Sequence, residues 1–232
     1  INGKMENAQF DQAKNVILAL DEMIKRIVYR PESLGRVETS FWTTHPHFIE
    51  TEENMNVAVW ASGQKELEVT VPVNIVKVKG GERASVAADR DLVGDGSLLL
   101  INITASLGRV QEYQSGGAWV ALDYSRVRCT YTGIMQYYNG TDYEPCNLVE
   151  IIAINMIFGD LEAQEQASFI VKNQGSSPIQ KEISKGTNPT IIVQKSGVQE
   201  TRTLAELGGD PNYKSLVNLV VVNIEISISG AD

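Results

Sequence analysis

The sequence predicts a mainly β chain with one N-terminal α-helix packed on a β-sandwich, or on two stacked β-sandwich units. Three observations carry that prediction. Apolar residues Phe10, Ala13, Val16, Ile17, Leu20, Met23, Ile24 and Ile27 recur at three- and four-residue steps, the period of a helix with one buried stripe. Beyond Pro31 the pattern changes to alternation and to short apolar runs bounded by Gly, Asn and Pro, which read as strands. These runs are numerous and closely spaced, with no comparable helix between them, so stacked sheets are expected rather than a parallel α/β fold.

The helix is expected over residues 5–28 and ends near Arg30, because Pro31 disfavours helical geometry in the residue before it. Residues 31–35 connect it to extended stretches at 37–41 and 48–50. At 54–61, Met55, Val57 and Val59 alternate with Asn56, Ala58 and Trp60. Ser62-Gly63 turns that strand into 67–79, where Pro72 marks an edge or a bulge, and Gly80-Gly81 closes the hairpin. A short strand at 84–88 precedes the apolar run 97–105, which reads as a strand covered on both faces. Ser115-Gly-Gly117 joins 111–113 to 118–124, and Thr132-Gly133 joins 126–131 to 134–138, each as a hairpin. Buried strands follow at 148–158 and 166–173. The last strands are 190–195, ending in a Ser196-Gly197 turn, and 216–229. A short helix at 203–207 would stop at Gly208-Gly209.

Three units result: a stalk-like helix at 1–30, a β-sandwich at 35–147, and 148–232 as a second β unit or a continuation of the same sandwich. Leu99-Leu-Ile-Asn-Ile-Thr104, Ile151-Ile-Ala-Ile-Asn-Met-Ile157 and Leu219-Val-Val-Val-Asn-Ile-Glu-Ile226 each carry an Asn inside an apolar run. In a chain this rich in Val and Ile, coincidence outweighs a true repeat.

The 232 residues suffice for a sizeable core, and 43% hydrophobic with 21% charged residues is ordinary for a globular chain. The formal net charge of −9 repels phosphate backbones, and no Lys/Arg cluster in the sequence offsets it, so nucleic acid is a poor partner. The longest apolar runs, 148–158 and 216–228, are interrupted by Glu150, Asn155, Asn218, Asn223 and Glu225. Neither reaches the roughly 20 apolar residues of a bilayer span. The chain opens at Ile1 and enters its helix within a few residues, so a missing leader is expected.

Cys129 and Cys146 flank the turn-rich stretch Tyr137-Tyr-Asn-Gly-Thr-Asp-Tyr143. A disulfide there would add about 3 kcal/mol in the chain-entropy account. That bridge is the expectation, and two unrelated buried thiols are the alternative. Asn102-Ile-Thr104 and Asn139-Gly-Thr141 are glycosylation sequons. Asn139 lies in an accessible turn, whereas Asn102 sits in an apolar run and is expected to point inward.

The stretch Phe10-Asp-Gln-Ala-Lys-Asn-Val-Ile-Leu-Ala-Leu-Asp-Glu-Met-Ile-Lys-Arg-Ile-Val-Tyr-Arg-Pro31, followed by a Ser/Gly connector and a strand, resembles archaeal surface proteins with a pilin-like N-terminus. Leu148-Val-Glu-Ile-Ile-Ala-Ile-Asn-Met-Ile-Phe-Gly159 resembles a later strand of the same group. The resemblance implies an N-terminal membrane helix as anchor, a second helix continuing it outward, and a β-rich ectodomain outside the cell. It implies no catalytic residue and no cofactor. The implied partners are other surface proteins or further copies joined through the N-terminal helix, with the membrane reached only through an anchor upstream of Ile1.

Asp89-Arg-Asp91-Leu-Val-Gly94-Asp95-Gly96 comes nearest to a metal loop. Read as an EF-hand it places Val93 and Leu100 where oxygen ligands are required, so only a looser Ca²⁺ site on Asp89, Asp91 and Asp95 remains, against an ordinary acidic turn. His45 and His47 share a face of an extended segment, but no third zinc ligand accompanies them. No Gly-x-Ser-x-Gly elbow exists, and Gly209-Asp-Pro-Asn-Tyr-Lys-Ser215 has Tyr213 where a phosphate loop needs glycine. Dispersed carboxylates leave a glycoside hydrolase as the least favoured class.

Tyr124, Tyr131, Tyr137, Tyr138 and Tyr143, with Trp119 nearby, concentrate in one region. Tyr131, Tyr137, Tyr138 and Tyr143 form the candidate recognition patch, since ring faces bury area at low entropic cost. The expected function is a non-enzymatic structural or adhesion ectodomain. The alternative is an extracytoplasmic module that binds or senses carbohydrate or Ca²⁺.

Overall fold

The computed structural model describes residues 2–39, 46–161 and 167–230. Helix α1 (Asn2–Ile27) leads into β1 (Leu34–Glu38), β2 (Pro46–Ile49), β3 (Asn54–Ala61), β4 (Gln64–Pro72) and β5 (Ile75–Lys79). Next come β6 (Arg90–Val93), β7 (Leu100–Ile101), β8 (Arg109–Gln114), β9 (Ala118–Asp123) and β10 (Val127–Tyr138). The chain continues through β11 (Tyr143–Phe158), β12 (Ala167–Ile183), β13 (Thr190–Lys195), β14 (Val198–Thr203) and β15 (Lys214–Gly230).

These strands form three sheets, ordered β1-β12-β15-β11-β10-β7, β14-β13-β3-β4 and β2-β5-β9-β8-β6. In the first, β11 and β15 run parallel from Cys146 opposite Lys214 to Phe158 opposite Ile226. Alternation sends their side chains to two different cores. Val149, Ile151, Ala153, Val217, Leu219 and Val221 pack with Met55, Val57, Val59, Ile191 and Val193 of the four-stranded sheet. Ile152, Ile154, Met156, Val222, Ile224 and Ile226 pack with α1 and with Val76, Val78, Val110, Val120 and Leu122 of the five-stranded sheet. The mainly β, sandwich-like fold with its helix packed on the sheets therefore has one long sheet as a shared wall.

β1 pairs with β12 and β3 with β13, so strands from both sides of residue 148 share sheets. Residue 148 itself lies inside β11.

The apolar stripe of α1 is sealed within the chain. Phe10, Ala13, Val16, Ile17, Leu20, Ile24, Ile27 and Val28 are all buried, and each large side chain contributes about 2 kcal/mol. That stripe is covered by the chain's own sheets. The C-terminal end of α1 is closed by Asn173, a buried residue at a register shift in β12. Its Nδ2 donates to the carbonyl oxygens of Ile27 and Val28 at 2.8 and 3.1 Å, at the helix end where carbonyls run short of intrahelical donors.

Several strand expectations change. Residues 97–105 hold only β7, because the Asn102 side chain accepts hydrogen bonds from the amides of Thr104 and Ala105 and bends the chain. Residues 84–88 form no strand: the amide of Ser85 donates to Asn7 of α1 and that of Val86 to Gln114. The 67–79 strand is cut after Pro72 into β4 and β5, which join different sheets. Thr132-Gly133 is a bulge inside β10, not a turn, with Gly133 at φ +125 in the left-handed region. The 203–207 helix is a single turn, closed by Thr203 and Glu206 exchanging hydrogen bonds as a capping box.

Candidate functional site

The β10–β11 hairpin forms an arm at one end of the wall. β7 pairs with β10 only at Val127 and Arg128. From Cys129 to Tyr138 the outer side of β10 therefore has no strand beside it among the described residues. That stretch contains no charge and no proline, the two devices that commonly blunt a sheet edge. Apolar side chains stand out from the arm: Ile134 is 52% exposed, Tyr138 54% and Tyr143 73%.

The four predicted tyrosines do not make one platform. Tyr138 and Tyr143 pair directly across the hairpin, their ring centroids 5.2 Å apart. Tyr137 pairs with Glu144 on the opposite face. There the Lys214 ammonium lies 5.0 Å from its ring centre while pairing with Glu144 at 2.7 Å and Glu182 at 2.9 Å. A hydrogen bond to Glu182 raises the Tyr137 hydroxyl above its ordinary range, and those two carboxylates raise the Lys214 ammonium. Tyr131 leans on the core behind the four-stranded sheet. Tyr124 is fully withdrawn, its hydroxyl donating to the buried Asp21 carboxylate at 2.8 Å. Burial, then the Asp21 charge, pushes that hydroxyl well above its usual range. Gly108 is required at this point, because a Cβ there would lie 1.9 Å from Asp21 Oδ1.

The three acids of the expected metal loop each have a protein partner. Asp89 accepts from the Gln114 amide at 2.9 Å, Asp91 from Arg109 Nε and the Gly96 amide at 2.8 Å each, and Asp95 from Ser97. Asp89 and Asp91 thus tie the loop to β8, and Asp95 closes a turn within it. Among the described residues no three His, Cys, Asp or Glu groups converge to hold a metal. His47 lies on β2, whereas His45 lies outside the described residues.

The disulfide reading fails on register. Both cysteines are buried free thiols. Cys129 pairs with Ile151 and Cys146 with Met135, five positions along the same ladder or about 17 Å. A bridge needs Cα atoms about 4.4–6.8 Å apart. The sequon residues Asn102 and Asn139 are both exposed on turns, so the inward orientation expected of Asn102 is also corrected. The Asn139 side chain accepts from the amides of Thr141 and Asp142 at 2.9 Å each.

Two features escaped the sequence reading. A cleft of about 300 Å³ lies between the last turn of α1 and residues 103–107, with Lys25, Tyr29 and Arg128 in its walls. Trp119 collects His47, Lys77 and Lys79 on the outer face of the five-stranded sheet. The alternating Lys77 and Lys79 were a signal for the second, but their partners are supplied by strands distant in sequence. No helix among the described residues is long and apolar enough to cross a membrane. No family profile, curated protein or solved structure matches this chain.

Proposed function

We propose that this chain is a non-enzymatic structural or adhesion domain, displayed outside the cell by a membrane-anchored, pilin-like archaeal surface protein. The observation that carries the reading is the bare outer edge of β10, uncharged from Cys129 to Tyr138 and bearing exposed Ile134 and Tyr138. Such an edge pairs readily with a strand of another chain. Contact with other surface proteins or with further copies is thus assigned to this arm in place of the N-terminal helix. Exposed sequons at Asn102 and Asn139 suit a chain that passes through an export route.

Intact cells of the source organism, treated with a membrane-impermeant biotin reagent, test the location. The chain is expected in the labelled fraction; labelling only after lysis sinks the surface reading. Ile134→Lys tests the contact element. It should reduce recovery of the chain in chemically cross-linked surface complexes at least fivefold without changing its melting temperature. Unchanged cross-linking removes β10 from the proposal.

A further inference from the structure

The outer face of the five-stranded sheet carries a basic and aromatic cluster on an otherwise acidic protein. β5 lies between β2 and β9, with His47 opposite Lys77 and Lys79 opposite Trp119. Alternation turns Val76 and Val78 into the core and leaves Lys77 and Lys79 on the outside. The Lys77 ammonium lies 4.3 Å from the Trp119 ring centre and the Lys79 ammonium 5.6 Å from it. His47 meets the same ring edge-on, with centroids 5.3 Å apart. The indole is itself fixed by a 2.9 Å hydrogen bond from Nε1 to the Ser115 carbonyl oxygen.

Among the described residues neither lysine forms an ion pair with a carboxylate. The nearby acids are engaged elsewhere: Asp123 accepts from Ser125, Asp91 from Arg109 and Asp89 from the Gln114 amide. Cation–π attraction holds an ammonium in place without neutralising it. Two ammoniums without a carboxylate partner therefore stand side by side on one face of a chain whose total charge is −9. Tyr113 lies directly across from Trp119 on β8, and Gln111 lies across from Ala121, so hydroxyl and amide groups border the cations.

We propose that this face binds an anionic polysaccharide bearing uronate carboxylates. The carboxylates would pair with Lys77 and Lys79, and sugar hydroxyls would meet Tyr113 and Gln111. Charge complementarity selects the ligand class. Between anionic polymers, the Tyr113 hydroxyl and Gln111 amide beside the two ammoniums favour a glycan, because uronate rings carry free hydroxyls next to each carboxylate and deoxynucleotides do not. The inference does not rest on surface display, because binding is a property of the isolated chain.

The test is titration of the purified chain with alginate in calcium-free buffer, with neutral dextran and single-stranded oligo-dT as comparison ligands. Alginate should bind and dextran should not, and affinity should fall as salt is raised. Lys77→Gln/Lys79→Gln should weaken alginate binding at least tenfold. Lys65→Gln/Lys172→Gln, which removes the same charge elsewhere, should leave it within twofold. Trp119→Leu should also weaken binding, and matched melting curves for the lysine variants separate loss of the site from loss of the fold. Absence of alginate binding, or equal binding by the Lys77/Lys79 variant, overturns the proposal. Tighter binding to oligo-dT than to alginate also overturns it, in favour of nucleic acid.

Discussion

Asn173 donates through its side-chain amide to the carbonyl oxygen of Ile27 at 2.8 Å, joining the end of the only long helix among the described residues to the wall of the sandwich. The same side chain accepts from the Gly175 amide at 2.8 Å, so both ends of one buried amide are satisfied. Asn173→Leu leaves the Val28 carbonyl without its side-chain donor, while Ile27 keeps the Arg30 amide, and should cost about 2 kcal/mol. Urea unfolding measures this as a lower midpoint at unchanged slope. A loss below about 1 kcal/mol would mean that water replaces the amide.

Asn155 and Asn223 sit in register on the parallel pair β11 and β15, with Nδ2 of Asn155 2.9 Å from Oδ1 of Asn223. Either residue changed alone to Val strands the other and should destabilise by about 1–2 kcal/mol. The double Val variant should recover most of that loss, because two β-branched side chains then face each other. A double-mutant cycle with no coupling would show that the pair contributes nothing to register.

The thiols should be inert in the folded chain. Burial pushes Cys129 up to about 12 and also raises Cys146, so little reactive thiolate forms near neutrality. A disulfide-exchange reagent at pH 8 should label neither thiol in the native chain and both after denaturation. The melting temperature should be the same with and without reductant. Absence of labelling in denaturant would demonstrate a bridge.

Glu112 links α1 to the five-stranded sheet, accepting from Arg90 at 2.5 Å and pairing with Lys14 at 3.1 Å. Burial alone would raise its carboxyl, but hydrogen bonds from Arg90 and Lys14 outweigh that and hold it below the ordinary value of 4.5. A lowered carboxyl contributes stability that is fully present above 4.5 and lost as pH falls through the folded value. Stability measured from pH 6 to pH 3 should therefore decline less steeply in Glu112→Gln than in the unaltered chain. Parallel declines would assign the acid loss to other carboxylates.

Local chemistry was enough to read the helix, because a 3.6-residue period and a following Pro31 are properties of neighbouring residues. β13 was legible with its Ser196-Gly197 turn for the same reason. Of the candidate site, the exposed tyrosine pair lay within the predicted patch. Which tyrosines share a face, however, depended on the bulge at Gly133, whose sequence resembles an ordinary turn.

Sequence by itself determined the single amphipathic helix, the β-rich remainder and the acidic balance, since each follows from composition and spacing along the chain. Only tertiary pairing decided that β11 and β15 form a wall between two cores, that Cys129 and Cys146 stand far apart, and that His47, Lys77 and Lys79 meet at Trp119. The physical reason is register. One strand's position against another is fixed by burial summed over the whole interface, and no short window of sequence contains that sum.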